Sequence, residues 1–147
     1  MILTGRDVQW YVKMGKLMIE PVTREQYQQN GVDLILESIG DVGPASIVPA
    51  GDFRLGCTRE LICMPDDLMA FVQLRSTWAR QGILVPPTAV DAGFQGNLTL
   101  EIVFHREQRA PLGQRFVHLI FARLTGPTTR YSGKYQGQSG ITGAIPD

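Results

Sequence analysis

The segment NLTLEIVFH, residues 97–105, alternates polar and apolar side chains and gives the clearest strand signal in the sequence. Successive side chains of a strand point to opposite faces, so the apolar residues at the even positions from Leu98 to Phe104 share one face. Glu101 lies on the other face, together with Thr99. This pattern predicts a strand that is buried on one face only, as in an antiparallel sheet.

Short apolar runs separated by glycine, proline and aspartate continue this pattern on both sides. They predict further strands at residues 17–22, 32–36, 46–48, 53–57, 60–64, 68–74, 83–85 and 116–124. The last of these runs is apolar on both faces, which predicts a central place in the sheet. Pro86 and Pro87 lack the N–H groups that a ladder needs, so we expect them in a loop or at an edge. The whole pattern predicts a mainly β fold, either a sandwich or a barrel.

The N-terminal segment predicts the one clear helix of the chain. Thr4 can cap a helix whose first turn carries Asp7, and Gly15 can end it. Residues 78–81 are expected to form a single helical turn. Residues 24–30, 37–45 and 106–113 are polar or rich in turn residues, and we expect them to form loops and turns.

Length and composition limit the classes of protein to consider. The chain has 147 residues, of which 44% are hydrophobic, and this fits a single domain with its own core. The formal net charge is 0, so binding to a nucleic-acid polymer is disfavoured, whereas a single nucleotide needs only a few local cations. No apolar run approaches the ~20 residues that span a bilayer, and no signal peptide is recognisable. We therefore expect a soluble cytoplasmic protein with no membrane partner.

The sequence lacks the motifs of several common catalytic sites. It has neither the His-x-Glu and Pro-Cys-x-x-Cys of zinc deaminases, nor a Gly-x-Gly-x-x-Gly, a P-loop or a serine nucleophile elbow. Cys57 and Cys63 are not spaced as zinc ligands, and we expect two buried thiols on a pair of strands. The remaining candidates for a functional site are carboxylate, hydroxyl and guanidinium side chains.

A cluster of side-chain donors precedes the strand at residues 97–105. Its members are Arg75, Ser76, Thr77 and Arg80. The planar fork of an arginine suits phosphate, because it can donate two parallel hydrogen bonds. The alternative is a solvated strand end with a structural arginine.

Two carboxylates follow this cluster. Asp91 lies in the turn Asp-Ala-Gly-Phe-Gln-Gly, where it either orients or deprotonates a water molecule or only bonds its own backbone. Glu101 is a candidate general base if its face of the strand lines a cavity. If that face meets solvent, Glu101 has no functional meaning.

The C-terminal segment, residues 125–147, has many glycines and almost no aliphatic periodicity. It combines Tyr131, Lys134 and Gln138 with those glycines, which is typical of a lid that closes over a ligand. The alternative is a frayed terminus.

Eight segments of this sequence, in order, resemble the superfamily of dCTP deaminases and dUTPases. They are residues 1–22, 31–36, 49–60, 65–70, 75–82, 91–101, 113–121 and 131–140. The similarity spans nearly the full length, so it implies that residues 1–147 form one domain of this kind, with residues 125–147 as its lid. The similarity is greatest to the archaeal-type dUTPases of the deaminase-like branch, because Leu-Arg-Ser-Thr and Pro-Pro-Thr-Ala-Val-Asp match them.

The resemblance implies a distorted jelly-roll that assembles as a homotrimer with three sites at the subunit interfaces. It implies a deoxyribonucleoside triphosphate as substrate, with Mg²⁺ held mainly by the triphosphate rather than by the protein. Four groups would hold the phosphates or organise the site across the interface: Arg75, Ser76, Thr77 and Arg80. Thr99, Leu100 and Glu101 would flank the base and sugar. Tyr131, Lys134 and Gln138 would come from the lid, with Lys134 and Gln138 on the triphosphate.

Two chemistries occur in this superfamily, and this sequence carries the acid for each. In the diphosphatases, an aspartate at the position of Asp91 activates the water that converts dUTP to dUMP and pyrophosphate. In the deaminases, a glutamate at the position of Glu101 shuttles protons without zinc. Leu74 replaces a glycine that is typical of deaminases. The segment between Arg80 and Asp91 is two residues shorter than the corresponding segment of the deaminases. These departures favour dUTP hydrolysis; dCTP deamination, a bifunctional enzyme and a nucleotide-sensing trimer remain the alternatives.

Overall fold

The computed structural model describes residues 1–147, and most of its regular structure is β-strand. The strands are β1 (Met18–Glu20), β2 (Tyr27–Gln28), β3 (Gly31–Ile39), β4 (Ile47–Val48), β5 (Asp52–Thr58), β6 (Leu61–Cys63), β7 (Leu68–Leu74), β8 (Ile83–Leu84), β9 (Thr88–Val90), β10 (Gln95–Gly96), β11 (Thr99–Phe104), β12 (Gln108–Arg109) and β13 (Arg115–Arg123). The helices are α1 (Gly5–Lys13) and α2 (Ser76–Ala79), with one 3₁₀ turn at Arg24–Gln26. The predicted mainly β class is confirmed.

Helix α1 begins and ends as the sequence predicts. The Thr4 hydroxyl accepts a hydrogen bond from the Asp7 backbone N–H at 3.2 Å, and the Asp7 carboxylate accepts one from the Thr4 N–H at 3.0 Å. This reciprocal pair satisfies two N–H groups that the first turn leaves free. The chain leaves the helix at Gly15, whose φ of 71° suits glycine. Neither helix is long and apolar enough to cross a membrane.

The main sheet has eight antiparallel strands and curls on itself. Its order is β8-β11-β5-β3-β13-β7-β9, with β2 added to β3. Strand β13 lies between β3 and β7, so the predicted central place of the last apolar run is confirmed. Two small sheets, β1-β6-β10 and β4-β12, contain the remaining strands.

The core is a single cluster of 27 buried residues. Along β11, Leu100, Ile102 and Phe104 are buried, whereas the odd-numbered residues between them are only partly buried. The predicted alternation is therefore confirmed. One face of β11 packs in the core, and the opposite face, which carries Glu101, remains available for a site.

Several predicted loop boundaries are wrong. Strand β3 continues to Ile39 because Ser38 and Ile39 pair with β5 beyond a bulge. The expected loop at residues 24–30 contains the 3₁₀ turn and β2, and the expected turn at residues 106–113 contains β12. Helix α2 begins at Ser76, two residues before the predicted helical turn. The partners of β12 and of the end of β3, which are β4 and β5, are remote in sequence, so local composition does not reveal these two pairings.

The cysteines differ from their prediction in one respect. Cys57 on β5 is buried, but Cys63 on β6 is partly exposed, and these two strands do not pair with each other. The prediction of two buried thiols on paired strands is therefore wrong. Burial raises the pKa of Cys57 to about 11, so its thiol stays protonated near neutral pH.

Candidate active site

A cavity of about 500 Å³ lies against β11, which contributes Thr99, Leu100 and Glu101 to its lining. Its floor is formed by β11 and β5, and its walls are formed by β9 with the turn that follows it and by the C-terminal segment. Six of the predicted site residues line this cavity: Asp91, Thr99, Leu100, Glu101, Tyr131 and Gln138. The fold therefore brings together residues that are separated by up to 47 positions in the sequence.

Glu101 lies on the floor of the cavity, opposite Leu55 of β5 in the strand register. Its Oε2 atom is buried and has no hydrogen-bond partner. Buried polar atoms in proteins are almost always paired, so this oxygen marks a place where a ligand donor can bind. The sequence left open whether Glu101 faces solvent or a cavity, and the structure places it in a cavity.

Asp91 lies at the rim, in the turn that follows β9. Its backbone carbonyl accepts a hydrogen bond from the Phe94 N–H at 3.1 Å, which closes the turn. The carboxylate itself is exposed and forms neither a hydrogen bond nor an ion pair within the chain. Asp91 also borders a second cavity of about 320 Å³, which is lined by Thr128, Thr129 and Arg130. The carboxylate is therefore free to bind water or a ligand from either side.

Two glycines let the C-terminal segment approach the turn closely. Gly93 has a φ of 81°, and a Cβ atom there would lie 2.7 Å from the Cβ of Arg130. Gly96 pairs with Gln138 in an isolated bridge, and a Cβ atom at Gly96 would lie 2.6 Å from the Gln138 carbonyl oxygen. Only glycine fits these two contacts, because any larger residue would collide with the neighbouring backbone.

Hydrogen bonds fix the C-terminal segment along the cavity. The Tyr131 N–H donates to the Ala92 carbonyl at 2.8 Å, and the Tyr131 ring packs against Phe94 with centroids 5.7 Å apart. The Gln136 amide donates to the Gly93 carbonyl at 2.9 Å and accepts from the Gln95 N–H at 2.8 Å. A frayed terminus would not form these bonds, so this segment is a wall of the cavity.

Two residues that were expected to meet the triphosphate have other partners here. The Gln138 side-chain amide donates to the Asn97 carbonyl at 2.6 Å, although Gln138 still lines the cavity. Lys134 does not line it, and its Nζ lies 2.6 Å from the Asp147 carboxylate. The Lys134 ammonium therefore has one of its three N–H donors directed to Asp147.

The donor cluster at the start of α2 lies in a different cavity. Arg75, Ser76 and Thr77 line a space of about 310 Å³, which shares no residue with the cavity of Glu101. The Arg75 guanidinium lies 3.2 Å from the buried carboxylate of Asp33. Arg80 is exposed and lines neither space. Within one chain, the predicted site is therefore divided into two parts.

Sequence reasoning missed several residues of both cavities. Phe53, Leu55, Tyr135 and Thr142 line the cavity of Glu101, and Asp33 and His118 line that of Arg75. Strand pairing, which the sequence does not show, places Leu55 beside Glu101. Asp33 did leave a signal, because it is a lone acid inside an apolar strand and a buried acid needs a partner.

The structure contains no group of three or more His, Cys, Asp or Glu side chains arranged to hold a metal ion. The cavity of Glu101 offers two carboxylates, Asp91 and Glu101, and no histidine or cysteine. Mg²⁺ is usually bound by one or two carboxylates together with substrate phosphates and water. This donor set fits a magnesium ion that is held mainly by a triphosphate, which is what the family resemblance implies.

A family model described as dCTP deaminase-like matches residues 37–124. Together with the relatives below, this match shows that the chain belongs to the dCTP deaminase-like family. It is 40% identical to the dCTP deaminase of Hyperthermus butylicus over 176 aligned positions, with all of both chains covered. It is 43% identical to a probable deoxyuridine 5'-triphosphate nucleotidohydrolase of Sulfolobus islandicus rod-shaped virus 1 over 158 positions, again with both chains fully covered.

Solved structures with a similar fold belong to both kinds of enzyme. The dCTP deaminase of Agrobacterium tumefaciens superposes with a TM-score of 0.65 at 19% identity, covering 84% of this chain and 47% of that one. This chain thus matches about half of the bacterial protein. The EIAV dUTPase superposes with a TM-score of 0.58 at 19% identity, covering 82% of this chain and 98% of that one. These likenesses confirm the predicted jelly-roll fold.

Proposed function

We propose that this protein is a dUTP diphosphatase, which hydrolyses dUTP to dUMP and pyrophosphate with Mg²⁺. The observation that carries the proposal is the unpaired carboxylate of Asp91 at the rim of the cavity. The viral relative supports it, because its alignment with this chain of 147 residues extends over 158 positions, against 176 for the deaminase of Hyperthermus. A cytoplasmic location follows from this proposal, since its substrate belongs to the deoxynucleotide pool.

The proposed mechanism assigns one role to each part of the cavity. The sugar and base lie against Thr99, Leu100 and Tyr131, with the α-phosphate near Asp91. Asp91 accepts a proton from a water molecule, whose oxygen forms a bond to the α-phosphorus. The bond from that phosphorus to the bridging oxygen of the β-phosphate breaks, and pyrophosphate leaves. Magnesium neutralises phosphate charge when it is bound.

The charges around the cavity support a trimer with shared sites. No lysine, arginine or histidine lines the cavity of Glu101, so it cannot neutralise a triphosphate on its own. Arg75, Ser76 and Thr77 lie in a separate cavity of the same chain. We propose that these residues, with Arg80, meet the phosphates of a nucleotide that is bound mainly by another subunit.

An apolar surface beside the cavity supports the same assembly. The strand register places Phe53, Val103 and Leu84 in a row across β5, β11 and β8. Phe53 is 56% exposed and Leu84 is 49% exposed in the single chain. Burial of such a row against a second copy is favourable by about 25 cal/mol for each Å² removed from water.

Glu101 supports a second candidate function, the deamination of dCTP. Its unpartnered Oε2 lies on the cavity floor, where a cytosine ring could reach it. A carboxyl in this position could move protons while water attacks C4 and ammonia leaves. Most of the similar curated proteins are named dCTP deaminases, so this alternative, and an enzyme with both activities, requires a direct test.

Product analysis with each nucleotide separates these functions. The protein with Mg²⁺ is incubated with dUTP and, separately, with dCTP, and products are identified by chromatography. We expect dUMP and pyrophosphate from dUTP and no turnover of dCTP. Formation of dUTP from dCTP would indicate a deaminase, and formation of dUMP from both would indicate a bifunctional enzyme. Binding without turnover of either would favour a nucleotide sensor and contradict the proposal.

A further inference from the structure

The cavity around Arg75 contains a buried acid and a histidine to which the proposed mechanism gives no role. Asp33 of β3 is the register partner of His118 on β13, and His118 is in turn the partner of Gln73 on β7. These three residues therefore lie in one cross-strand row, on the central strands of the sheet. All three line the cavity together with Arg75.

Asp33 is the centre of this row. Its side chain is only 3% exposed, so its charge requires partners. One carboxylate oxygen lies 2.8 Å from Nδ1 of His118. The other, which accepts no hydrogen bond, forms ion pairs with Nε of Arg75 at 3.2 Å and with Nη1 of Arg115 at 3.4 Å. The acid thus connects an imidazole to two guanidinium groups.

Arg75 is held by more than one contact. Its Nε faces Asp33, and its Nη1 donates to the Arg115 carbonyl oxygen at 3.1 Å. Trp78 donates to the same carbonyl oxygen at 2.8 Å. These contacts leave the Nη2 group of Arg75 without a partner in the chain. They fix the direction of the guanidinium before any anion arrives, so little side-chain entropy is lost on binding.

We propose that Asp33 and His118 are positioning residues of an anion subsite for the polyphosphate part of the substrate. Asp33 fixes the Arg75 guanidinium, and His118 makes anion binding depend on pH. The inference rests on the proposed function in one respect, namely that the substrate carries a triphosphate. What it adds is a role for Asp33 and His118, which contact each other beside Arg75.

The pH dependence follows from the two nitrogens of the imidazole. Nδ1 faces the Asp33 carboxylate, and with its N–H directed there Nε2 has no proton in the neutral ring. Protonation adds an N–H and a positive charge on the side of the ring that faces away from Asp33. The charged groups around the ring are Asp33 on β3, Arg75 after β7 and Arg115 on β13; Gln28, Gln73, Ser76 and Thr77 are neutral. A protonated ring therefore increases the positive charge available to an anion.

The test measures the dissociation constant of inorganic triphosphate by calorimetry at about pH 8 and about pH 6. The chain has two histidines, which offer a matched pair of variants, His118→Gln and His105→Gln. His105 is exposed and lies outside the cavity. Glutamine keeps a neutral donor for Asp33 but does not titrate. Ionisation of triphosphate itself is common to all three proteins and cancels in the comparison.

We expect wild-type protein and the His105→Gln variant to bind triphosphate about tenfold more tightly at the lower pH, relative to His118→Gln. That factor corresponds to one charge-assisted hydrogen bond. The Asp33→Asn variant should weaken binding at both pH values, and circular dichroism shows whether it folds. An identical pH response in His118→Gln and wild type would overturn the inference, and so would the absence of triphosphate binding by wild type at both pH values.

The same variants separate this inference from the proposed function. If wild type binds triphosphate in the expected pH-dependent way but turns over neither dUTP nor dCTP, the anion subsite is supported and the proposed enzymatic activity is contradicted. If dUTP is hydrolysed and KM has the same pH profile in wild type and His118→Gln, the proposed activity is supported and the positioning role of His118 is contradicted.

Discussion

At the scale of single residues, two carboxylates share one cavity in different surroundings. Asp91 is exposed at the rim with a free carboxylate, whereas Glu101 lies on the floor with one buried, unpartnered oxygen. A base that activates water needs access to water and a free lone pair, which suits Asp91. A group that exchanges protons with a base ring needs to lie beside the ring, which suits Glu101 on the cavity floor.

The Asp91→Asn variant should lose at least about 10²-fold in kcat for dUTP, because an amide can hold a water molecule but cannot take its proton. Its affinity for dUTP should stay within about threefold, since the amide retains the hydrogen bonds and the shape. Pyrophosphate release and calorimetry measure the two quantities. The Asp41→Asn variant serves as the control, because Asp41 is an exposed aspartate that does not line the cavity. Full turnover by Asp91→Asn would show that another group activates the water.

The Glu101→Gln variant should keep dUTP hydrolysis within about tenfold, since the amide preserves size and hydrogen bonding on the cavity floor. Any dCTP deamination by the wild type should fall by at least about 10²-fold, because proton transfer is lost. Both rates are measured against Glu107→Gln, which changes an exposed glutamate. A loss of hydrolysis equal to that of Asp91→Asn would place Glu101 in the hydrolytic chemistry instead.

Glu60 provides a prediction about stability and pH. Burial raises its pKa above the ordinary value of 4.5, while hydrogen bonds from the Ile35 N–H and Gln26 oppose the rise. The folded protein then binds a proton more tightly than the unfolded chain. The contribution of Glu60 to the free energy of unfolding therefore falls as the pH rises from about 4.5 through the raised pKa.

Urea unfolding at several pH values tests this contribution. Glu60→Gln, which cannot ionise, should gain stability relative to wild type as the pH rises through that window. Glu107→Gln should show no such trend, because Glu107 is exposed. A constant difference between Glu60→Gln and wild type at all pH values would contradict the assigned cause.

At the scale of the structural elements, the contact between the turn after β9 and the C-terminal segment shapes the cavity. Gly93→Ala should disturb it, because the new Cβ would lie 2.7 Å from the Arg130 Cβ and the backbone has a φ of 81°. We expect a loss of roughly 1–3 kcal/mol in local stability and a higher dissociation constant for dUTP. Proteolysis within residues 125–147 and calorimetry measure these effects.

Gly43→Ala is the matched control for that variant. A Cβ atom at Gly43 would meet nothing within 4 Å, and its backbone is not in the left-handed region. It should leave both proteolysis and dUTP binding unchanged. Equal behaviour of the two alanine variants would mean that the C-terminal segment does not depend on the close contact at Gly93.

The elements differ in how far the sequence predicts them. The cap of α1 and the alternation along β11 are local patterns, and both were predicted because Thr4, Asp7 and the even-numbered apolar residues carry the signal themselves. Strands β4 and β12 have two residues each and exist only because they pair with each other. No local pattern marks such strands. The extension of β3 to Ile39 likewise depends on β5.

The candidate site follows the same division. The resemblance indicated Asp91, Glu101 and Tyr131, and the fold does bring them to one cavity. The pairing of Arg75 with Asp33 was not predicted, because 42 positions separate them and only the order β3-β13-β7 brings them together. The separation of Arg75 from Asp91 into two cavities was also invisible, since it depends on how the sheet curls.

At the scale of the whole molecule, shared sites predict the behaviour of mixed subunits. Asp91→Asn and Arg75→Ala should each be inactive as homogeneous proteins, with folding verified by circular dichroism. If the two residues act in one site from different subunits, mixed trimers reassembled from both variants should regain part of the dUTP hydrolysis. Light scattering should give three times the chain mass of 16.3 kDa. An active monomer, or no recovery in mixed trimers, would contradict the assembly.

The C-terminal segment contributes Tyr131, Tyr135, Gln138, Thr142 and Ala144 to the lining of the cavity. It is anchored there by backbone bonds such as that from Tyr131 to Ala92, not by side chains alone. We expect a product that contacts both parts of the lining to leave after some of these bonds break. Release of dUMP would then set the pace of steady turnover, and the first turnover would show a burst of pyrophosphate. Movement of the C-terminal segment, more than the chemistry at Asp91 or Glu101, would then limit the rate of turnover.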